Sequence, residues 1–581
     1  MKRWRWRNSG RQQAAGYMLS SGKQQLDCNV LNGGKRRTTG FMLRKMAVLA
    51  VLAAALVWRG TAAALANELP YDTYNYNFYE DIVFTPAAYI PSDSVSGTQL
   101  VYNGEPLGAF SNPQDLCKTP DGRIVIADTG NNRIIILNKN MTRVEAVITE
   151  FENEGKDTFK APYGVCVSQN NQLYIADSQN NRIVVLDGEG ALVKIVANPA
   201  SEELEDNYVF TPLKVTVDYA DRIYCIAQNM FQGIMVFEKN GEFMGFFGTI
   251  EVEISLWEKF WKRLATKEER SNQKLYIPTE FTGMDVDSDG FVYASNIDAE
   301  GLQAIRRLNP KGQDVIKKGQ NKNVGGDLLI DGFSKYAGPS QITDVVYREK
   351  GMYSMLDRRR GRIFTYDHEG NLLYIFGGLG TQKGTFASPV AIENIGEAVI
   401  VLDAYRAEIL TFTETDYGNL INKAVALRYD GDEAQAVELW AKVLELDENN
   451  ELAYVGIGKA YLTAGNYKLA MDYLKRGMSS EFYSIAFRRY RNEVLKKNMN
   501  FLLTAAVAVI LLAAAVRGFQ RSRKYGGKNS HGGKNSHGGK NSHGGKNSHD
   551  EKNSHGKDRG GKGFRNSGRS QGLRAGGGKT S

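Results

Sequence analysis

Three charged residues, Asp115, Lys214 and Asp344, occupy equivalent places in segments that repeat along this 581-residue chain. Carboxylate oxygens are ligands that hard divalent cations prefer, and a cation held by carboxylates can polarise a bound substrate. Two carboxylates beside a lysine, however, do not complete a three-ligand oxygen site. The pattern therefore favours a polar binding surface, with cation-dependent hydrolysis as the alternative.

The equivalence of these residues rests on a repeat of about fifty residues. The segment IADTGNNRIIIL at 126–137 returns as IADSQNNRIVVL at 175–186. Aligning the rest of the chain on these segments gives six copies. The fourth copy is preceded by an insertion at 251–275 and the fifth by a loop rich in Gly and Lys at 316–338. A fixed period of this length predicts a repeat architecture.

Each copy contains short apolar runs separated by polar turns. Runs such as RIIILN, RIVVLD and RIFTYD, bounded by Asn, Asp and Gly, predict short antiparallel strands. About four such strands per copy are typical of one propeller blade. The Asp and Asn residues between the strands tolerate left-handed backbone and can bond neighbouring N–H groups, which predicts tight turns there.

These residues and spacings resemble the NHL repeat family, most closely in copies one and two and more loosely in the other four. The resemblance implies a mainly β fold with a six-bladed β-propeller over 98–416. One position per copy is then expected to open the strand that lines the central channel. These six positions are Asp115, Gly164, Lys214, Gly283, Asp344 and Val390.

Six-bladed propellers include sugar-lactone hydrolases, which hold a divalent cation in the channel, and amidating lyases, which bind zinc through several histidines. The part of the chain between its two apolar segments has one histidine, His368, which excludes a histidine-rich zinc centre. No Cys-x-x-Cys spacing exists, so Cys117, Cys166 and Cys225 are expected as buried free thiols. We predict no cofactor and no metal, with a sugar-lactone-type hydrolase as the alternative function.

Charge separates the folded part of the chain from its flanks. Residues 1–66 carry 12 basic and 1 acidic side chains, and residues 517–581 carry 16 and 3. The segment between them carries 45 basic and 61 acidic residues, a net charge of −16. An acidic surface repels a phosphate backbone, so we expect no nucleic-acid partner.

The N-terminal apolar segment, MLRKMAVLAVLAAALVWRGTAAALA, resembles a secretory signal. Its apolar core is too short to span a bilayer, and small residues at 64–66 suit cleavage. This predicts a signal region over 1–66 whose true start lies near 42–46. An uncleaved anchor is the alternative, because Trp58 and Arg59 interrupt the approach to the cleavage site.

The C-terminal apolar segment, FLLTAAVAVILLAAAV at 501–516, predicts a membrane-spanning helix over 499–517. The tail at 518–581 is rich in Lys and Arg, so the positive-inside rule predicts that it is cytoplasmic. Its repeated GGKNSH hexapeptide cannot bury a core, which predicts disorder. The propeller is then expected outside the cell.

A second period separates the predicted propeller from the apolar segment. Residues 417–450 and 451–484 are two copies of 34 residues, in which Gly431 matches Gly465 and Ala436 matches Ala470. The second copy resembles a tetratricopeptide (TPR) repeat, which implies a small helical solenoid over 417–498 ending in a helix at 482–497. Peptide binding and a simple spacer are equally weighted roles for it.

The insertion contains an amphipathic stretch, SLWEKFWKRLATKEER at 255–270. Its helical periodicity favours a helix packed over the propeller. The alternative is an exposed surface of Trp257, Phe260 and Trp261 for a partner or for the outer membrane leaflet.

Together, these observations predict a single-span bacterial surface protein. After a lead-in at 67–97 come a propeller, a TPR segment, a transmembrane helix and a disordered cytoplasmic tail. Its predicted function is non-catalytic recognition or assembly. The expected partners are the membrane and a protein or cell-envelope glycan.

Overall fold

The computed structural model describes residues 69–199, 201–204, 207–249, 280–298, 301, 303–319, 324–327 and 338–526. These residues belong to two compact units, with the boundary between Val494 and Leu495. The first unit contains all the strands and the first four helices. A fifth helix begins in the first unit and continues into the second.

Five short strands precede the first repeat. They are β1 (Tyr74–Tyr76), β2 (Ile82–Phe84), β3 (Tyr89–Ser96), β4 (Val101–Tyr102) and β5 (Glu105–Pro106). Strands β1 and β2 form one hairpin, and β4 and β5 form another.

The repeated copies form six blades, which confirms the mainly β fold and the six-bladed propeller. Each copy opens with the strand that becomes innermost in its blade, and these six strands contact one another in a closed ring. Blade one is β6 (Asp115–Lys118), β7 (Ile124–Asp128), β8 (Arg133–Leu137) and β9 (Val144–Ile148). A hairpin of β10 (Glu150–Glu152) and β11 (Lys156–Thr158) follows. Blade two is β12 (Pro162–Val167), β13 (Leu173–Asp177), β14 (Arg182–Leu186) and β15 (Leu192–Val196).

The remaining blades follow in the same order. Blade three is β16 (Pro212–Val217), β17 (Ile223–Ala227), β18 (Ile234–Phe237) and β19 (Phe243–Phe247). The described part of blade four is β20 (Phe281–Val286), β21 (Val292–Asn296) and β22 (Ile305–Leu308). Blade five is β23 (Ile342–Tyr347), β24 (Tyr353–Asp357), β25 (Arg362–Tyr366) and β26 (Leu372–Phe376). Blade six takes β27 (Pro389–Ile395), β28 (Ala398–Asp403) and β29 (Glu408–Glu414) from the last copy.

Strand β3 closes the propeller. It pairs antiparallel with β29, from Tyr89 opposite Glu414 to Ser96 opposite Glu408, and so completes blade six. The lead-in predicted over 67–97 therefore contributes a strand to the propeller. This strand ties the start of the chain to the end of the last repeat.

The Asp-x-x-Asn-Asn-Arg motif links the turn after the second strand of a blade to the segment that precedes the same blade. In blade two, Asp177 accepts hydrogen bonds from the backbone N–H of Lys160 at 2.7 Å, Asn180 Nδ2 at 2.9 Å and Arg182 Nε at 2.9 Å. Asn181 adopts the left-handed conformation with φ of +57°. Blade one repeats the arrangement with Asp128, Ser111, Asn131, Asn132 and Arg133.

The prediction of a tight turn with left-handed Asn is therefore confirmed. The aspartate, however, bonds a backbone N–H group 17 residues earlier in the chain, outside its own turn. We call this arrangement the aspartate clamp, and it fixes each of these blades to its preceding segment.

Four helices follow the propeller: α1 (Asp416–Tyr429), α2 (Glu433–Leu446), α3 (Glu451–Thr463) and α4 (Tyr467–Arg476). Each begins after a residue whose side chain accepts a backbone N–H of the first turn. These N-cap residues are Thr415, Asp432, Asn450 and Asn466. Consecutive helices pack against each other. The matched positions Ala436 and Ala470 are both buried.

The helices share one hydrophobic core with blades five and six. A single cluster joins Tyr89 and Phe412 of the propeller to Ile421, Trp440 and other residues of α1, α2 and α3. Burial of large side chains is the main favourable contribution to packing. Helices α1 and α2 and part of α3 therefore share the core of the propeller, whereas α3, α4 and the start of the next helix also form a smaller cluster of their own.

Polar contacts cross the same junction. Glu369, in the turn between β25 and β26, accepts hydrogen bonds from Arg428 of α1 and from Lys459 of α3 at 2.8 Å. Burial alone would raise the pKa of Glu369, but these two cations outweigh it and lower the pKa to about 2. The carboxylate is therefore charged at neutral pH and links the propeller to two helices.

The fifth helix, α5 (Ser480–Gly526), is continuous for 47 residues. The sequence predicted two elements here, a helix at 482–497 and a span at 499–517. Both predicted ranges lie within this one helix, since no Gly or Pro interrupts the chain between them. The helix contains a window with a mean hydropathy of 2.4, which is long and apolar enough to cross a membrane.

Candidate functional site

The three charged residues predicted for the channel lie together. Lys214 Nζ is 2.5 Å from Asp115 Oδ1 and 3.4 Å from Asp344 Oδ2. Strands β6, β16 and β23 supply them, and these strands belong to blades one, three and five. All three residues are buried, with exposed fractions of 4% for Asp115, 7% for Lys214 and 5% for Asp344. We call them the inner triad.

Backbone groups complete the bonding of the inner triad. Asp115 Oδ2 accepts the N–H of Val165 in blade two at 2.9 Å. Asp344 Oδ2 accepts the N–H of Ile392 in blade six at 3.0 Å. Each carboxylate thus reaches the innermost strand of the next blade around the ring, and the triad joins all the blades except the fourth.

Glycines make room for the triad. A Cβ atom at Gly164 would lie 2.8 Å from Lys214 Cα, and one at Gly283 would lie 2.6 Å from Asp344 Cα. Carbon atoms that are not bonded do not approach so closely. Gly164 therefore allows the strand that carries Lys214 to approach its backbone closely, and Gly283 does the same for the strand that carries Asp344.

The channel position predicted in the sixth copy was wrong by one residue. Asp344 pairs with Leu356, the residue before Asp357, and Ala391 pairs with Leu402, the residue before Asp403. Ala391 and not Val390 is therefore the counterpart of Asp344. A β-bulge shifts the register after Pro389, and neither candidate residue carries a polar side chain that marks the position.

The charges of the inner triad depend on each other. Burial alone would lower the pKa of Lys214, but the carboxylates of Asp115 and Asp344 outweigh it and raise the pKa. Burial raises the pKa of Asp344 to about 7, against the effect of the Lys214 ammonium. Lys214 is therefore protonated at neutral pH, and the Asp344 carboxyl group titrates near neutral pH.

A second charged group lies further along the innermost strands β6, β20 and β27. Lys118 Nζ is 3.2 Å from Glu393 Oε1 and donates to Asn394 Oδ1 at 2.7 Å. Asp285 accepts the N–H of Tyr347 at 2.7 Å, and burial followed by the nearby Glu393 raises its pKa to about 7. Sequence reasoning missed this group. Part of its signal was available, because Asp285 and Glu393 each lie two positions after the channel position of their strand, and side chains at that spacing point to the same face.

The channel therefore holds the Lys214 ammonium at the place where a cation-dependent enzyme would hold a divalent metal ion. Lys214 neutralises one carboxylate charge and lies between the carboxylate oxygens of Asp115 and Asp344. Within the described ranges, no cluster of three or more His, Cys, Asp or Glu residues is arranged to hold a metal ion. The geometry supports a structural cross-link between blades.

The other predicted residues lie elsewhere. Trp257, Phe260 and Trp261 fall outside the described residues. Cys117, Cys166 and Cys225 are free thiols, as predicted, although only Cys225 is fully buried. His368 lies in a cleft that is open to solvent.

This cleft joins blades four and five to helix α1. We call it the tyrosine cleft, because Tyr293, Tyr347, Tyr353 and Tyr429 line it with His368. Sequence reasoning did not predict this cleft, because its residues come from separate copies of the repeat. Tyrosine is also common in the cores of the blades, so its presence alone marks no site.

Comparison with known proteins agrees with the fold. The NHL repeat family matches the chain at residues 110–137 and 159–186, which lie in and just before blades one and two. No curated protein matches the sequence.

Several solved structures are similar to the chain. A virginiamycin B lyase from Staphylococcus aureus has 11% identity and a TM-score of 0.35, covering 56% of this chain and 99% of its own. Kuenenia stuttgartiensis hydrazine synthase has 11% identity and a TM-score of 0.33, covering 53% and 96%. A Bacteroides thetaiotaomicron protein of unknown function has 13% identity and a TM-score of 0.37, covering 55% and 74%. Identities this low carry no conclusion about activity. The chain carries NHL repeats within a six-bladed β-propeller.

Proposed function

We propose that this chain is a non-catalytic binding or assembly scaffold, anchored in a membrane by α5 and displaying its propeller outside the cell. Its partner is a protein or a glycan of the cell envelope. The helices α1 to α4 are, in this proposal, a short TPR-type segment that holds the partner or positions the propeller.

The inner triad is the observation that carries the proposal. A cation-dependent hydrolase of sugar lactones needs carboxylates that are free to bind a divalent cation and its substrate. Here Asp115 and Asp344 are bonded to Lys214 and to the backbone of neighbouring blades. Removing the ammonium would leave two buried carboxylates without their partner, which is strongly unfavourable.

The junction between propeller and helices supports a scaffold role. The shared core and the contacts of Glu369 with Arg428 and Lys459 fix the helices against blades five and six. A rigid array offers binding surfaces that need little ordering when a partner binds.

The orientation rests on the sequence. The basic tail at 518–581 favours the cytoplasm, and a cleaved signal within 1–66 would place the propeller on the opposite side.

The test is carried out on intact cells that express the full chain. A protease added outside should digest the propeller and spare the tail, whereas permeabilised cells should lose both. A membrane-impermeant cross-linker should then attach an envelope component to the full chain, which is identified after purification from the membrane.

Two results would overturn the proposal. Protection of the propeller in intact cells would reverse the orientation. Purified full chain that carries no cross-linked component, and that opens lactone rings only when a divalent cation is present, would establish the hydrolase instead.

A further inference from the structure

The tyrosine cleft combines aromatic rings with polar groups that have no hydrogen-bond partner among the described residues. The rings of Tyr293 and Tyr347 stack with centroids 6.0 Å apart, and Tyr353 packs on Tyr293 at 4.9 Å. The ring of His368, also in the lining, meets Tyr429 edge to face with centroids 5.2 Å apart. Small-molecule sites in proteins are typically concave, aromatic and supplied with few polar groups.

A buried hydroxyl group in this cleft has no partner among the residues that the structure describes. Tyr353 is 1% exposed, and its hydroxyl forms no hydrogen bond with any residue that the structure describes. Burial raises the pKa of Tyr353, so the group keeps its proton and can donate it. A buried polar group without a partner is unfavourable, and most such groups in folded proteins are bonded.

His368 contributes a second open group. Its Nδ1 is also buried and unpaired within the described part of the chain. Burial lowers the pKa of His368, so its imidazole is neutral at pH 7 and offers one donor and one acceptor. Both open groups of the cleft are thus uncharged.

Charges around the cleft are largely balanced. Arg307 Nη2 is 2.6 Å from Asp287 and 3.4 Å from Asp289. The Arg307 guanidinium also stacks over the ring of Phe291 at 4.2 Å. Its charge and its flat face are therefore already engaged, and Lys317, an exposed residue of the lining, supplies a further positive charge at the edge of the cleft.

We infer that the tyrosine cleft binds a pyranose sugar of a cell-envelope glycan. A sugar ring has an apolar C–H face that can pack on the rings of Tyr347 and Tyr429, which are the less buried tyrosines of the cleft. Its hydroxyl groups both donate and accept, which matches the Tyr353 hydroxyl and the neutral His368. This inference rests on the proposed function only in taking an envelope glycan as the class of partner.

The test uses the full chain in lipid nanodiscs and three probes. The probes are methyl β-D-glucopyranoside, methyl N-acetyl-β-D-glucosaminide and phenol, which supplies a flat ring without a sugar. Saturation-transfer NMR measures binding, and thermal unfolding measures stability. We compare the wild type with Tyr353→Phe and with the control Tyr224→Phe, whose hydroxyl lies in blade three, 3.2 Å from Asp218.

The expected result separates binding from stability. At least one pyranoside should bind saturably, and Tyr353→Phe should weaken it about tenfold, the effect of one hydrogen bond. Because the Tyr353 hydroxyl has no partner in the described part of the chain, Tyr353→Phe should not lower the melting midpoint, whereas Tyr224→Phe should lower it and bind as the wild type does. His368→Gln provides a second variant if Tyr353→Phe does not fold, and it should also weaken binding.

Three results would overturn the inference: no saturable binding of either pyranoside, equal binding by the wild type and both cleft variants, or binding of phenol in preference to the sugars. These failures differ from failure of the scaffold proposal. An envelope component cross-linked equally to the wild type and to Tyr353→Phe would keep that proposal and reject the cleft.

Discussion

In the inner triad, the lysine determines whether the two aspartates could bind a metal ion. Asp115 and Asp344 are the residues that a cation site would use, yet Lys214 lies 2.5 and 3.4 Å from their oxygens. An ammonium is a compact charge with three donors, so it can take the place that a bound cation would fill. At this position lysine converts two ligand-type residues into a cross-link between blades.

Replacing Asp344 tests the electrostatics of the triad. In the folded chain burial raises the pKa of Asp344 to about 7, whereas an unfolded aspartate has a pKa of about 3.9. The folded state therefore binds this proton more tightly. The resulting stability is present below about pH 4 and is lost as the pH rises to about 7.

Asp344→Asn should therefore gain stability relative to the wild type between pH 5 and pH 8. The gain between these two pH values is about 2.6 kcal/mol, which corresponds to about two pKa units. Urea unfolding of both chains at the two pH values measures it. Asp285→Asn makes the same change in the second charged group, where the pKa of Asp285 is also raised to about 7, and serves as the control. A difference between wild type and Asp344→Asn that does not change with pH would contradict the account.

Sequence reasoning located the three triad residues because a repeat gives each copy a common frame. It failed at Val390, where Ala391 and Val390 are both apolar and the bulge after Pro389 leaves no mark in the sequence. It could not find the unpaired Tyr353 hydroxyl, because an absent partner is visible only when the neighbours are known.

Among the elements, the aspartate clamp explains why the strongest repeat in the sequence is a turn. Asp177 is fully buried and accepts bonds from Lys160, Asn180 and Arg182. Loss of a buried charged acceptor leaves donors unpaired, which costs more than the loss of an exposed bond.

Asp177→Ala should thus destabilise the propeller by about 3 kcal/mol. The matched control is Asp187→Ala in the same blade, where a partly exposed aspartate accepts the N–H groups of Glu189 and Ala191 without an arginine partner. It should cost about 1 kcal/mol. Urea midpoints of the full chain report both values, and equal shifts would show that the clamp adds nothing to an ordinary turn.

Element prediction succeeded where the pattern is local and failed where pairing is distant. The strands β7, β8, β13 and β14 follow directly from apolar runs between turn residues. Strand β3 reads YIPSDSVS, which is too polar to predict a strand, and its partner β29 lies more than three hundred residues away. Pairing across such a distance leaves no periodicity in the sequence.

At the scale of the whole molecule, the first unit has no clear break between propeller and helices. One hydrophobic cluster runs from Tyr89 and Phe412 to Trp440 and Ile457. The Glu369 carboxylate bonds two helices from the propeller side. The sequence marked these parts as two repeats with different periods, but it carried no sign that their cores merge.

The propeller and the helices α1 to α4 should therefore unfold together. Hydrogen exchange of the full chain in nanodiscs should show that amides of β24, β28 and α2 become exposed with the same dependence on urea. Glu369→Gln should shift all three together, with Glu349→Gln, a change in the turn after β23, as the control. Exposure of α2 at a lower urea concentration than β28 would show that the helices are a separate unit.

The most direct test of the central claim is thermal unfolding of the full chain in zwitterionic nanodiscs, with calcium, with zinc and with a chelator. A ligand that binds only the folded state stabilises it by about 2.7 kcal/mol at a hundredfold excess over its dissociation constant. Since Lys214 already occupies the channel between Asp115 and Asp344, we predict the same melting midpoint in all three conditions. A midpoint that rises with calcium or zinc, and no longer rises after replacement of both Asp115 and Asp344 by Asn, would contradict the claim that the channel is a cross-link and not a cation site.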